Sequence, residues 1–488
     1  MKRPHSVSCF LLMVFWTISQ ATLSALNLPP VFSDHMVLQR DSIVRVWGTD
    51  LPGTKVTVTF GQQAVNTVTE DSGKWMAELQ PMETSAEPRE MTIRGSRSIV
   101  FQDVLVGDVW LCSGQSNMEK PLGEKKGQRP TEDYQAALAT ADDPLIRLFQ
   151  VPRYGRVKNE ASELRWLPCS AESLEATAFS AAGYYFARTL REHRDTPVGI
   201  IHSSFGGSMI EAWIPPKYLQ SDPVLKSQLH RQYFAWVEGV QVTELYQSMI
   251  QHLVPYSLKG FLWYQGEANV MYAEGAVYTR KLQALIHSWR NLWQRPQAPF
   301  LFVQLAPFNY SEWDKFARQL TAEALPLFRE AQTATLAVPG TDMVVTTDLA
   351  GSARDIHPTR KREVGQRLAW LALNIDGAGE SFGKSPRYRR SRILDGAILV
   401  EFMDAPGGLK TRDGQSATGF TISGPDKIFH PATVAIDGDS IRLSSPNVAN
   451  PVAVRFAWHE TANPNLVSMK GLPVAPFRTD NWEIQNEK

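Results

Sequence analysis

The sequence has little of what several large classes of protein need. Its 50 Lys and Arg residues balance 50 Asp and Glu residues, and no stretch forms a basic stripe. Nucleic acid and anionic membrane surfaces are recognised mainly through an excess of positive charge. We therefore expect neither as a partner.

Cysteine is scarce, with 3 residues in 488, and none stands in a metal-ligand spacing such as Cys-x-x-Cys. Cys9 lies in an N-terminal segment that we predict is removed, which leaves Cys112 and Cys169. These two could form one disulfide in an oxidising compartment, or they could be two small buried hydrophobic residues. The sequence leaves both possibilities open.

The N-terminal apolar stretch is too short to cross a bilayer. It runs from Cys9 to Ile18, after two basic residues and before several small ones. This pattern is typical of a secretory signal peptide rather than an anchor. We predict that residues 1–25 are a signal peptide, that the mature chain starts near Ala25, and that the protein is secreted or periplasmic with no membrane insertion afterwards.

The apolar pattern divides the mature chain into three segments. Residues 26–103 and 391–488 show short alternating runs with turns between them, which predicts an N-terminal β-sandwich-like domain and a C-terminal β-rich domain. Residues 104–390 alternate near-continuous apolar runs with helical periodicity. This indicates an α/β fold with a parallel sheet and helices on both faces, whose ligands bind at the carboxyl ends of the strands.

The central segment contains five predicted strands: Val104 to Cys112, Val198 to Ser203, Leu258 to Tyr264, Phe300 to Ala306 and Met343 to Thr347. Unusual polar or glycine residues follow four of them: Ser113 to Asn117, Ser203 to Gly207, Gln265 to Asn269, and Asp348 with Asp355 and His357. The carboxyl ends of parallel strands meet at one edge of a sheet, so we expect these groups to lie together.

Ser116, in LCSGQSNM, is either a nucleophile or the cap of the following helix. The stretch lacks the second glycine of the G-x-S-x-G elbow, so it decides nothing alone. His357 precedes an amphipathic helix and has Asp355 beside it, a carboxylate that could orient an imidazole. Acyl transfer needs a nucleophile, a base and an orienting group of these types. His202 and His252 lie in apolar contexts, and we interpret them as core histidines.

Other residues at the strand ends could assist the nucleophile. Gly206 and Gly207 allow close backbone approach, which an N–H donor to an oxyanion requires. Gln265 could add a side-chain N–H. A carboxylate beside a developing oxyanion is harmful, so we expect that of Glu267 to be turned away and hydrogen-bonded. We predict that three residues support the site or contact substrate: Asn117, Glu267 and Asn269.

Four ordered blocks of the sequence resemble a known family: VLVGDVWLCSGQSNME, SSFGGSMIEAW, WYQGEANV and DIHPTRKREVGQRLA. Together they resemble the secreted sialate O-acetylesterases of the SGNH hydrolase superfamily. The flanking stretches MVLQRDSIVRVWG and VRFAWHETANPNLVSMKGLPVAPFRTD resemble the same family. The resemblance covers nearly all of the predicted mature chain and implies an SGNH-type sheet between the two β domains.

By this resemblance Ser116 is the nucleophile and His357 is the base. The backbone N–H groups of Ser116 and of Gly206 or Gly207 form the oxyanion hole. The superfamily's third donor is commonly an asparagine, and the matching position here holds Gln265. Glutamine keeps the amide N–H of asparagine but carries it on a longer side chain.

The third member of the catalytic triad also departs from the family pattern. The acid usually stands three residues before the histidine, where this chain has Arg354. Asp355, two residues before, is our substitute. Asp348, or a backbone carbonyl in a Ser-His dyad, are the alternatives.

The resemblance implies a serine esterase that removes O-acetyl groups from carbohydrates, foremost O-acetylated sialic acids, through an acetyl-enzyme and with no metal or organic cofactor. The alternatives are an acetylesterase for plant polysaccharides (xylan, xyloglucan or pectin) and, in another class, a non-catalytic carbohydrate-binding protein. An arginine near Ser116, such as Arg153, Arg156 or Arg354, would favour the acidic sugar. The oligomeric state stays open.

Overall fold

The computed structural model describes residues 25–153, 164–227, 229, 240–313, 319–375, 377 and 382–484. The predicted signal peptide therefore lies outside the described residues, except for Ala25. Within these ranges no helix is both long and apolar enough to cross a membrane.

The N-terminal region contains seven strands: β1 (Val37–Gln39), β2 (Val44–Thr49), β3 (Lys55–Phe60), β4 (Gln63–Val68), β5 (Lys74–Leu79), β6 (Ser85–Arg94) and β7 (Ser98–Gly114). The antiparallel order is β4, β3, β6, β7, while β2 pairs with β5. Strand β7 crosses the predicted boundary after residue 103 and continues into the central sheet. The N-terminal strands consequently share one hydrophobic core with the central segment.

The central sheet adds six strands: β8 (Asp143–Gln150), β9 (Trp166–Cys169), β10 (Val198–Ser204), β11 (Gly260–Tyr264), β12 (Phe300–Val303) and β13 (Thr341–Val344). Its order is β13, β12, β11, β7, β10, β8, β9; the β8–β9 pair is antiparallel and the other pairs along this path are parallel. The α/β fold and all five predicted strands are confirmed. Strands β8 and β9 were not predicted, and they extend one side of the sheet.

The described part of the chain contains ten α-helices: α1 (Ser116–Glu119), α2 (Tyr134–Ala139), α3 (Ala171–Ala176), α4 (Ala181–His193), α5 (Pro216–Gln220), α6 (Pro223–Lys226), α7 (Glu267–Val270), α8 (Gly275–Leu292), α9 (Ala324–Ala334) and α10 (Lys361–Ile375). Helix α4 packs on α10, and α8 packs on α9. Apolar residues recur at helical spacing along these helices, so they form one face that packs into the core. In α8 this face includes Tyr278, Leu282, Leu285 and Trp289.

The C-terminal region is built from β strands: β14 (Arg387–Leu394), β15 (Ala397–Met403), β16 (Leu409–Thr411), β17 (Phe420–Ser423), β18 (Phe429–Pro431), β19 (Thr433–Asp437), β20 (Ser440–Ser444), β21 (Ala453–Phe456), β22 (Leu466–Ser468) and β23 (Phe477–Arg478). It forms antiparallel sheets around its own core, which includes Val400, Ile422 and Phe456. Ion pairs such as Arg478–Glu330, at 2.8 Å, join it to the central region.

The structure decides between the two possibilities for the cysteines. Cys112 and Cys169 are both buried and free, so they pack as small hydrophobic residues and form no disulfide. Of the two histidines interpreted as core residues, His202 is buried and contacts Gln150 at 2.7 Å, as predicted. The prediction was wrong for His252, which lies in a short helical segment, Gln251–Leu253, and is exposed.

Candidate active site

Ser116 lies at the carboxyl end of β7, near the middle of the central sheet. The turn before it requires glycine: Gly114 has a φ of 142°, and a Cβ there would lie 2.1 Å from the backbone oxygen of Tyr264. The next N–H, of Gln115, donates to that same oxygen over 3.0 Å. The chain therefore leaves β7 abruptly and presents Ser116 as the first residue of α1.

His357 reaches Ser116 from the loop between β13 and α10. Its Nε2 lies 2.9 Å from Ser116 Oγ, although 241 residues separate the two in sequence. Burial lowers the pKa of His357 to about 4, and the ammonium groups of Lys361 and Lys120 act in the same direction. The imidazole is therefore neutral at neutral pH, the form that a general base requires.

Asp355 holds the loop that carries His357. Its Oδ1 accepts the backbone N–H of His357 over 2.9 Å, and its Oδ2 contacts Arg129 at 2.9 Å. Burial alone would raise the pKa of Asp355, but the Arg129 hydrogen bond and the His357 N–H outweigh it and hold the pKa below its usual value. The carboxylate is thus ionised, and its contact with His357 is to the backbone N–H rather than to the imidazole ring. Its role as the orienting acid of a triad stays a prediction.

Asp348, the alternative acid, is engaged elsewhere. Its two carboxylate oxygens accept from the guanidinium of Arg367 at 2.8 and 2.6 Å. Arg367 is on α10, so this pair fixes the helix against the end of β13. Of the two carboxylates, Asp355 is the one whose charge acts on His357, where it opposes the lowering of the pKa.

Asn117, the residue after Ser116, links several parts of the site. Its Nδ2 donates to the backbone oxygen of Ile356 over 2.9 Å and also to Glu267 Oε1. Its Oδ1 accepts from Lys361 Nζ over 2.6 Å. Burial raises the pKa of Glu267 and lowers that of Lys361 to about 7. Glu267 thus supports the site through Asn117, hydrogen-bonded as expected.

Lys361 was not singled out from the sequence. It is the first residue of α10, four residues after His357, and its side chain is buried with the ammonium 5.0 Å from the centre of the Tyr264 ring. A buried lysine at the start of a helix gives no distinctive local signal. Its position after His357 in DIHPTRK was the only indication of a role at the site.

Gly206 lies directly against Ser116. A Cβ on Gly206 would lie 3.4 Å from the Cβ of Ser116 and 2.8 Å from Glu119 Oε2. Gly207 has a φ of 77°, in the left-handed region that favours glycine. Gly206 is therefore next to Ser116, and Gly207 follows it directly in the turn. That these N–H groups bind an oxyanion stays a prediction.

Gln265 is fully buried within a hydrogen-bond network. Its Nε2 lies 3.1 Å from Gln115 Oε1, 3.1 Å from the backbone oxygen of Ser208 and 2.7 Å from Asn269 Oδ1. Its Oε1 accepts from the Tyr278 hydroxyl over 2.8 Å. The amide would have to give up one of these acceptors to meet an oxyanion, and its predicted role as third donor stays untested.

Asn269, the remaining predicted residue, is also fully buried. Its Nδ2 donates to Glu211 Oε2 over 3.1 Å and to Glu274 Oε2 over 2.7 Å, and both carboxylates pair with Lys281. This buried cluster joins α7 and α8 behind the strand ends. It gives Asn269 a supporting position.

Glu119 gathers two basic side chains beside Gly206. Its carboxylate lies 2.9 Å from Arg153 Nε and 2.7 Å from Lys125 Nζ. The Arg153 guanidinium also stacks on the Phe205 ring, 4.5 Å from its centre. Of the three arginines proposed from the sequence, Arg153 is therefore near Ser116, Arg354 is exposed on the loop that carries His357, and Arg156 lies outside the described residues.

Comparison with known proteins gives a consistent result. A family model described as "Carbohydrate esterase, sialic acid-specific acetylesterase" matches residues 106–374. Sialate O-acetylesterases of Homo sapiens and Pongo abelii are each 32% identical to this chain, over 69% of it and 68% of their own length. The crystal structure of a carbohydrate acetylesterase from Xanthomonas citri matches with a TM-score of 0.82 and 36% identity, over 94% of this chain and all of that one.

Proposed function

Because the chain belongs to the sialic acid-specific acetylesterase family of carbohydrate esterases, and is therefore a carboxylic ester hydrolase, we propose that it removes O-acetyl groups from sialic acids by a serine mechanism. Family membership in an esterase group sets aside the alternative of a non-catalytic carbohydrate-binding protein. The serine mechanism and the sugar are the parts that we propose.

The observation that carries the mechanism is the 2.9 Å contact between Ser116 Oγ and His357 Nε2. A serine hydroxyl becomes an effective nucleophile when an adjacent neutral base accepts its proton. Here the proton passes from Ser116 to His357 as Oγ forms a bond to the acetyl carbonyl carbon. The carbonyl π electrons move to oxygen and create the tetrahedral oxyanion.

The backbone N–H groups of Ser116 and of Gly206 or Gly207 stabilise that oxyanion, with the amide of Gln265 as the proposed third donor. The C–O bond to the sugar then breaks, and His357 gives its proton to the departing sugar oxygen. Asp355 stabilises the imidazolium that exists between these two transfers. Water repeats the sequence on the acetyl-enzyme and releases acetate. Each role belongs to a side chain or backbone group, with no cofactor.

The test is acetate release by the wild type and by Ser116→Ala. We expect the wild type to release acetate from 4-nitrophenyl acetate and from O-acetylated sialic acid, and the Ser116→Ala variant to lose both activities. Ser72→Ala, in an exposed turn of the N-terminal region, is the matched control and keeps both. Full activity in a folded Ser116→Ala protein would overturn the serine mechanism.

The same measurement on acetylated xylan, xyloglucan and pectin tests the choice of sugar. We expect a higher kcat/KM on O-acetylated sialic acid than on the plant polysaccharides. The reverse order would assign the enzyme to plant polysaccharide and leave the serine mechanism intact.

A further inference from the structure

Three charged side chains beside Ser116 take no part in the proposed bond-making steps. Glu119 lies between Arg153 and Lys125, with N–O distances of 2.9 and 2.7 Å. Two cations around one carboxylate leave one surplus positive charge. We call these three residues the Glu119 cluster.

The Glu119 cluster lies close to Ser116. Glu119 and Ser116 both border Gly206, where an added Cβ would lie 2.8 Å from the Glu119 carboxylate and 3.4 Å from the Ser116 Cβ. The Arg153 guanidinium covers the ring of Phe205, the residue immediately before Gly206. A substrate whose acetyl group meets Ser116 therefore has the rest of its sugar within reach of these charges.

The exposure of the three side chains differs in a way that indicates a binding role. The Glu119 side chain is 10% exposed, whereas those of Lys125 and Arg153 are 27% and 29% exposed. The carboxylate is thus covered and the two cations reach solvent. An uncompensated Glu119 would repel both an anionic substrate and the developing oxyanion, so the cations reverse the sign of the local field.

Arg153 has donors to spare for a ligand. Its contact with Glu119 runs through Nε, and a guanidinium carries further N–H donors in a planar fork that suits a carboxylate. Stacking on Phe205 and pairing with Glu119 restrict the arginine before any ligand binds. Such restriction reduces the entropy lost on binding.

We propose that Arg153 and Lys125 bind the carboxylate of an O-acetylated acidic sugar, and that Glu119 holds the two cations in place. This inference rests on the proposed function, since it places the acetyl group of the same sugar at Ser116. It also identifies the substrate property that the site selects, which is one negative charge near the ester.

The test compares an O-acetylated sialic acid with its methyl ester, which carries the same acetyl group but no carboxylate. The readout is the ratio of kcat/KM for the acid to kcat/KM for the ester. We expect a wild-type ratio of about 10 to 100, the usual contribution of a charge-assisted hydrogen bond. The ratio should fall toward one in Arg153→Met and in Lys125→Met, mainly through KM for the acid.

Charge reversal gives a second, independent readout. Arg153→Glu should bring the ratio below one, because it replaces attraction of the carboxylate by repulsion. Arg390→Met removes an exposed arginine of the C-terminal region and should leave the ratio at its wild-type value. These outcomes depend on a ratio between two substrates, so a uniform loss of activity in a variant does not imitate them.

Two failures can be told apart. A wild-type ratio near one, or a ratio unchanged in Arg153→Met and Arg153→Glu, would overturn the carboxylate site while acetate release continues. Absence of acetate release from the acid, the ester and 4-nitrophenyl acetate alike would overturn the proposed function itself.

Discussion

Asn117 donates a hydrogen bond from its side-chain amide to the backbone carbonyl oxygen of Ile356, over 2.9 Å. Asn117 directly follows Ser116, and Ile356 directly precedes His357, so this one bond joins the segment that carries Ser116 to the segment that carries His357. The ammonium of Lys361 contacts the amide oxygen, and the carboxylate of Glu267 accepts from the amide nitrogen. An ammonium only donates, so Lys361 in its protonated form directs the amide oxygen towards itself and leaves the amide nitrogen to Glu267 and to the Ile356 oxygen.

Asn117→Ala should separate the catalytic pair and lower kcat. A displacement of about 1 Å between reacting groups can cost on the order of 100-fold in rate, so we expect a loss of about 10- to 100-fold with little change in KM. Steady-state kinetics on 4-nitrophenyl acetate measure both constants. Asn291→Ala, whose amide contacts the Tyr218 hydroxyl on the exposed side of α8, is the control. An unchanged kcat in folded Asn117→Ala would mean that other contacts hold Ser116 and His357 at their distance.

The acid limb of the pH profile, where kcat/KM falls as the pH drops, should lie at a pH well below the pKa of an ordinary histidine. Burial lowers the pKa of His357 to about 4, from a usual value of about 6.5. The base is active when neutral, so a lowered pKa extends activity to lower pH, and kcat/KM should fall only as the pH approaches 4. A profile of kcat/KM from about pH 3.5 to 8 on the neutral substrate 4-nitrophenyl acetate shows this. A limb near 6.5 would contradict the environment described for His357.

Replacing Lys361 should move that limb in a defined direction. Its ammonium lowers the pKa of His357, so Lys361→Met should raise that pKa and shift the acid limb to higher pH. It should also lower kcat, because Asn117 loses its partner on the oxygen side. Lys361→Arg retains a positive charge and should leave the limb closer to that of the wild type. A merely structural lysine would change the stability and leave the limb in place.

Gly206→Ala should impair catalysis through crowding. The φ of Gly206 lies outside the left-handed region, so alanine brings no backbone strain there. Its Cβ would lie 2.8 Å from Glu119 Oε2, so that carboxylate must shift, and 3.4 Å from the Ser116 Cβ, in van der Waals contact with the side chain that the substrate must reach. We expect kcat to fall about tenfold or more, since an oxyanion-hole donor is worth about 100- to 1,000-fold. Gly123→Ala, which meets open space, should show wild-type kinetics.

The sequence predicted the parts of the site that depend on local pattern. Buried parallel strands give apolar runs, and the polar residues just after them, such as Ser116 and Gly206, lie at one edge of the sheet because those strands are parallel. Strand β8 was missed because only Ile146 to Phe149 within it are buried without interruption, following Asp143-Pro144. Strand β9 was missed because it has only four residues and lies far along the chain from β8. Neither shows the long apolar run of its neighbours.

Contacts between distant charged residues could not be read from such patterns. Glu119 and Arg153 belong to different segments, and a charged residue in a polar stretch has many equally plausible partners. Lys361 stands between two arginines at the start of an amphipathic helix, where a charged side chain is ordinarily solvated, yet it is buried against Asn117. The pairings follow from how the loops at the strand ends pack together, which only the folded chain defines.

The role of Asp355 can be separated into two parts by two substitutions. Its carboxylate accepts the backbone N–H of His357, which an amide oxygen would still do, whereas in the proposed mechanism its charge stabilises the imidazolium. Asp355→Asn keeps the first role and removes the second, and Asp355→Ala removes both. A full triad acid costs about 10,000-fold when it is changed to asparagine. Because Arg129 already neutralises part of this charge at 2.9 Å, we expect a smaller loss in Asp355→Asn, and a larger one in Asp355→Ala as the loop loosens.

Kinetics of both variants on 4-nitrophenyl acetate decide between the two roles. Equal losses in the two variants would assign the effect to the charge alone. A loss of about 10,000-fold in Asp355→Asn would make Asp355 a full triad member.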